Sequence, residues 1–287
     1  MKFIQKLYLG VFLFAFLLSS CSKDEVYETI NEPKTITDAA YGADPTQKAD
    51  IFLPSGRNQG STRVLLIIHG GGWFGGNKTD MAQFVSKFQS HLKDYAIVNM
   101  NYRLVTFSPV RYMLPTQTDD IRSVMDYVTK NSSDLGVKPE FVVLGLSAGG
   151  HLAMLYSYKY DTNSRVKAVV NIVGPCDLSD SYYTNNTIYS IGMGYITNPE
   201  NLPSEMSQST FGSPAQWITQ SAPPTISFYG TNDVYIPESQ HTTLEQKLNQ
   251  AKVYNEKHIY AGGHDVGFKQ SDDIVSKTVN FLSTHVR

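Results

Sequence analysis

The sequence predicts an α/β domain: a mostly parallel central sheet with helices on both faces and an irregular, lid-like insertion. Three observations carry this. Apolar strand-like runs recur along the chain, separated by segments long enough for a helix, the alternation that builds parallel sheets through right-handed crossovers. Several runs are continuously apolar rather than alternating, as in strands buried on both faces. About 267 residues follow the first 20, enough for one large core.

Residues 1–20 stand apart from that domain. Lys2 and Lys6 precede a run from Leu7 to Leu18 in which Tyr8 is the only polar side chain. This is the charged and then short apolar pattern of a secretory signal. The run is shorter than the roughly 20 apolar residues a membrane-spanning helix needs. Leu18-Ser19-Ser20-Cys21 resembles a bacterial lipobox, in which the signal is cut before the cysteine and that cysteine is lipidated. Lys23-Asp24-Glu25 resembles the acidic export signal of surface lipoproteins. The expectation is an exported bacterial lipoprotein, anchored to a membrane through Cys21, at the outer membrane or cell surface.

Charge and cysteines narrow the rest. The formal net charge is −2, and losing residues 1–20 removes two lysines and no acid, leaving −4. With no basic run, nucleic acid is not an expected partner. With Cys21 acylated, Cys176 is the single remaining thiol and no internal disulfide can form.

Residues 21–45 read as the lipidated cysteine and a flexible tether: they are polar, without period, and broken by Pro33, Gly42 and Pro45. The folded α/β domain is expected over residues 46–287. Its strand-like runs are Arg63–Ile68, Tyr95–Met100, Phe141–Leu146, Val166–Val173, Pro224–Tyr229 and Val253–Tyr260. Helix-compatible segments are Asp80–Leu92, Pro115–Lys130, Gly149–Tyr158, Glu238–Gln250 and Ser271–His285. Residues 174–216 break the alternation and show no clear period, the pattern of a functional lid or a flexible loop. Tyr182, Tyr183, Tyr189 and Tyr195 lie there, either to stack on sugar or aryl groups or to pack the insertion onto the core.

Gly145-Leu146-Ser147-Ala148-Gly149 sits between an apolar strand and a helix, the context of a serine exposed on a tight turn. Chance supplies such a pentapeptide in roughly one chain in ten of this length. Its partners must therefore decide. A serine hydroxyl needs a base to take its proton and an acid to orient the base. Asp233 closes one predicted strand and His264 follows the next, giving the order Ser147, Asp233, His264 along the carboxyl edge of a parallel sheet. Asp177, after the strand ending near Val173, is the rival acid. His91, His241, His258 and His285 lie within elements and fit solvated faces.

Acyl transfer also needs donors for the developing oxyanion. His69-Gly70-Gly71-Gly72-Trp73 follows a strand, and its glycines let backbone amides approach a substrate. The expected donors are the amides of Gly71, Gly72 and Ala148, with Trp73 as a substrate contact. Gly76-Asn77-Lys78-Thr79 looks like the end of a phosphate loop, but Asn77 interrupts the required Gly-Lys-Thr.

Together, His69-Gly-Gly-Gly-Trp73, Asn101-Tyr-Arg-Leu104, Pro115 with Asp119 and Asp120, Gly145-Leu-Ser-Ala-Gly-Gly-His151, Asp233 and Gly263-His264 resemble the α/β-hydrolase esterases of the hormone-sensitive-lipase-like group. The Ser-Ala-Gly-Gly-His form resembles that of bacterial acetylesterases and feruloyl esterases related to xylan deacetylation. The resemblance covers about residues 46–286. It implies a serine carboxylesterase working through an acyl-enzyme with no metal or organic cofactor, on a small or glycan-borne acetyl or feruloyl ester. It also implies structural roles for Tyr102, Arg103 and Asp120. Leu146 departs from the acidic residue common before the serine. A serine peptidase or amidase on the same fold and a non-catalytic surface-binding lipoprotein are the alternatives.

Overall fold

The computed structural model describes residues 27–286; the expected signal peptide and Cys21 lie outside the described residues. Eight strands form one sheet: β1 (Lys34–Ala40), β2 (Lys48–Leu53), β3 (Arg63–Ile68), β4 (Tyr95–Met100), and, beyond a small hairpin of β5 (Thr106–Phe107) and β6 (Val110–Arg111), β7 (Phe141–Leu146), β8 (Val166–Ile172), β9 (Thr225–Gly230) and β10 (Asn255–Tyr260). Their spatial order is β1-β2-β4-β3-β7-β8-β9-β10. From β4 to β10 every neighbour is parallel, and β1 and β2 add an antiparallel edge.

The continuously apolar runs are the central strands. Every residue of β4, β7 and β9 is buried. Alternate residues of β3 serve opposite faces: Val64, Leu66 and Ile68 join one core and Leu65 and Ile67 the other. The helices Thr116–Lys130, Ala148–Leu155 and Glu238–Gln250 cover the first face, and Ala82–His91 and Ser271–His285 pack together over the second. Burying one such Leu or Ile stabilises the fold by roughly 1.5–3 kcal/mol.

Two expectations are corrected. The segment read as a flexible tether includes β1, which pairs with β2, and Ile30, whose amide donates to Arg57 O at 2.8 Å. As an edge strand, β1 buries only Ala39 fully, so its sequence carries no alternation to announce it. The insertion is not irregular: it holds the short helices Ser181–Thr184, Thr187–Gly194 and Gln208–Gly212 and 3-10 turns at Pro199–Asn201 and Pro214–Trp217. Helices this short cannot display a 3.6-residue period. Local caps define several of them, with Asp180, Asn198 and Ser207 side chains accepting from Tyr182, Glu200 and Thr210 amides.

Candidate active site

β7 delivers Ser147 at its carboxyl end, where the chain reverses into the helix Ala148–Leu155. The turn forces Ser147 to a φ of +54°, which an L-residue adopts only under constraint. The flanking glycines supply that constraint. A Cβ on Gly145 would lie 2.0 Å from Gly149 O, and one on Gly149 would lie 2.3 Å from Ile68 O. Only hydrogen fits at either position, so the two glycines of the pentapeptide are a packing requirement. Ser147 N donates to Ile172 O at 2.8 Å, which ties the elbow to β8.

Asp233 follows β9 and His264 follows β10, and both reach the same edge as Ser147. His264 Nδ1 lies 2.7 Å from Asp233 Oδ2 and His264 Nε2 lies 2.9 Å from Ser147 Oγ. A carboxylate only accepts, so Nδ1 carries the proton and donates, leaving Nε2 as acceptor for the serine hydroxyl. The Asp233 side chain is fully buried, and its Oδ1 accepts the amides of Tyr235 (2.9 Å) and Ile236 (3.0 Å). Both oxygens are thus directed. The Tyr235 ring stands edge-on to His264 at 5.3 Å and is otherwise exposed.

The glycine loop after β3 runs beside Ser147, since a Cβ on Gly70 would lie 3.3 Å from Ser147 Cβ. Gly71, Gly72 and Trp73 all take positive φ, +106°, +62° and +70°. Tyr102 supports the start of this loop: its hydroxyl donates to His69 O and Gly70 O at 3.3 Å, and its ring stacks on His69 at 4.3 Å. Burial holds the His69 imidazole below its ordinary pKa. Next to Tyr102, Arg103 forks onto Asp120, whose carboxylate also accepts Arg103 N (2.7 Å) and Gln47 Nε2 (2.7 Å).

Residues 49–248 match the BD-FAE family. The chain belongs to the BD-FAE family. It is 22% identical over 244 residues to "Esterase LipC" of Mycobacterium tuberculosis, covering 81% of this chain and 59% of that one. The chain spans about half the length of the curated relatives it matches. Among solved structures it resembles a "truncated form of carbohydrate esterase from gut microbiota", with a TM-score of 0.70 at 20% identity, covering 88% of this chain and all of the other. It also resembles the acetyl ester-xyloside bifunctional hydrolase of Caldicellulosiruptor lactoaceticus, with a TM-score of 0.68 at 18% identity, covering 89% and 97%. These likenesses establish the α/β-hydrolase fold.

Within this BD-FAE member the other expected residues fall as follows. Asp177, the rival acid, is engaged away from His264: its Oδ1 accepts Ser179 N and Oγ and Ser213 Oγ at 2.9, 2.5 and 3.2 Å. Lys78 does not face a phosphate site; its ammonium sits between Asp50 (2.6 Å) and Asp38 (3.1 Å). Trp73 is corrected. Its indole is buried and donates to His151 Nδ1 at 3.1 Å, so little of the ring expected as a substrate contact is exposed. Phe74, the next residue, is the exposed one, at 53%. Its ring lies over Gly72 and meets Phe107 edge-on, which in turn meets Tyr195.

Three insertion tyrosines bond the loop after Asp233, and of these Tyr183 is buried while Tyr182 is largely exposed. Tyr182 and Tyr189 hydroxyls donate to Val234 O and Tyr183 to Tyr235 O, at 2.7, 3.2 and 3.0 Å, tying the insertion to the loop that follows Asp233. Sequence reasoning missed Phe74, Phe107 and Tyr235. Adjacency to Trp73 and Asp233 was the available signal for the first and last. Among the described residues no group of three or more His, Cys, Asp or Glu is placed to hold a metal ion, and no helix is long and apolar enough to cross a membrane.

Proposed function

We propose that this BD-FAE member is a serine carboxylesterase that removes short acyl groups, acetyl or feruloyl, from glycans through an acyl-enzyme. The observation that carries the reading is the continuous contact from Asp233 through His264 to Ser147, at 2.7 and 2.9 Å. Ser147 Oγ attacks the ester carbonyl carbon while its proton passes to His264 Nε2. Asp233 holds the resulting imidazolium in place. The amides of Gly71, Gly72 and Ala148 receive the oxyanion, each such donor lowering the barrier by about 3–4 kcal/mol. When the tetrahedral intermediate collapses, the C–O bond to the alcohol breaks and His264 returns its proton to that oxygen. Water then repeats the sequence against the acyl-serine and frees the acid.

The glycan part of the reading draws on the carbohydrate esterases among its structural relatives and on the exposed rings of Phe74, Phe107 and Tyr195 beside the glycine loop. Such rings suit the flat apolar face of a sugar or an aryl acid. A screen over acetylated xylan, feruloylated oligosaccharides and aryl esters of graded chain length tests it. The expected result is turnover that declines beyond butyrate. Rates rising toward long chains would instead indicate a lipase.

The lipobox-like segment ending at Cys21 supports an exported, membrane-anchored form. Mass spectrometry of the mature amino terminus should find acylated Cys21, and an intact Met1 would contradict this.

A further inference from the structure

We propose that His151 is a positioning residue, fixed in one tautomer, that links the insertion to the oxyanion loop through Trp73. This rests on the esterase reading above. His151 lies four residues after Ser147, fully buried on the helix Ala148–Leu155, and its amide donates to Ser147 O at 3.0 Å. Its two ring nitrogens have different partners. Nδ1 faces the Trp73 indole N–H at 3.1 Å and Nε2 faces Gly212 O at 2.7 Å. An indole N–H only donates and a carbonyl only accepts, so Nδ1 is bare and Nε2 carries the proton.

The loop on the other side of Trp73 needs such a brace. Three consecutive residues, Gly71 to Trp73, hold positive φ, and for a tryptophan that conformation is a genuine outlier. Val105 N donates to Trp73 O at 3.0 Å and Gly75 N to Gly71 O at 2.9 Å, which fix the loop backbone at two further points. The indole bond adds a tie between this loop and the helix that follows Ser147. Gly212 closes the insertion helix Gln208–Gly212, so the position of the insertion reaches the donor amides of Gly71 and Gly72 through two hydrogen bonds. Protonating Nδ1 would set two donors against each other. Burial opposes it, holding the His151 pKa down to about 4.

The test compares His151→Phe, Trp73→Phe and the double variant with the wild type on its best ester, normalised to active sites titrated with a fluorophosphonate. Each single change should lower kcat roughly 10- to 100-fold, the cost of a slightly misplaced donor, with KM within about threefold. The double variant should lose no more than about threefold beyond either single, because one linkage is broken once. A second readout is independent of activity. The chain has two tryptophans, so Trp73→Phe assigns the indole N–H signals. The Trp73 signal should be protected from solvent exchange in the wild type and lose protection in His151→Phe, while that of Trp217 keeps it. Unchanged kcat in both single variants, losses that multiply in the double, or a Trp73 N–H already exchanging freely in the wild type would overturn the proposal. A wild-type chain that hydrolyses no ester would instead overturn the esterase reading.

Discussion

Asp233 grips His264 with one oxygen and its own turn with the other: Oδ2 lies 2.7 Å from His264 Nδ1 while Oδ1 accepts the Tyr235 and Ile236 amides. The carboxylate is therefore aimed before any substrate arrives. Asp177 spends its Oδ1 on Ser179 and Ser213 instead.

That difference sets the first prediction. Asp233→Asn should lower kcat by roughly 10²- to 10⁴-fold, because an amide at this position favours the wrong imidazole tautomer. Asp177→Asn should leave kcat within about threefold, its site lying outside the proton path. Steady-state rates on one aryl ester decide between the two, and a larger loss in Asp177→Asn would reverse the assignment.

The elbow glycines give the second. A methyl on Gly145 would lie 2.0 Å from Gly149 O, inside any real contact. Gly145→Ala should destabilise the fold by about 1–3 kcal/mol or more, with the backbone forced to shift. Ser147 should then fail to label with a fluorophosphonate even in the soluble fraction. Wild-type labelling and melting temperature in Gly145→Ala would show that the turn tolerates what the geometry forbids.

Arg103 and Asp120 give the third. Asp120 is 0% exposed and Arg103 is its charged partner; the bonds from Asp120 raise the Arg103 pKa. Arg103→Ala leaves a buried carboxylate without its counter-charge and should cost about 3–5 kcal/mol in urea unfolding. A loss under about 1 kcal/mol would mean that Gln47 and the Arg103 amide alone satisfy Asp120.

The fourth concerns acid. His151 is neutral in the fold, its pKa lowered to about 4, whereas in the unfolded chain it titrates near 6.5. A depressed folded pKa means the unfolded chain binds the extra proton first as pH falls. The stability associated with the neutral ring is complete above about pH 6.5 and is lost progressively toward pH 4. Unfolding free energies across this window should fall less steeply in His151→Phe than in the wild type. Identical slopes would show that His151 does not titrate this way.

The sequence made some of this legible for physical reasons. Gly145 and Gly149 could be read because close backbone approach excludes every side chain, and β3, β4, β7 and β9 because burial on both faces demands continuous apolar runs. The order Ser147, Asp233, His264 was legible because each follows a strand that ends at the same sheet edge. The edge strand β1 was not, since little of it is buried. The burial of Trp73 was not legible because the direction of a side chain at positive φ does not show in a sequence pattern. His151 stood in a quoted motif, yet its partners lie 78 and 61 residues away, and only the folded chain reveals them.

The most direct test of the central claim is hydrolysis of a short aryl ester by the domain and by Ser147→Ala, with circular dichroism confirming that both are folded. Turnover is expected in the wild type, with a loss of roughly 10⁴- to 10⁶-fold in Ser147→Ala. Wild-type turnover in a folded Ser147→Ala protein would contradict it.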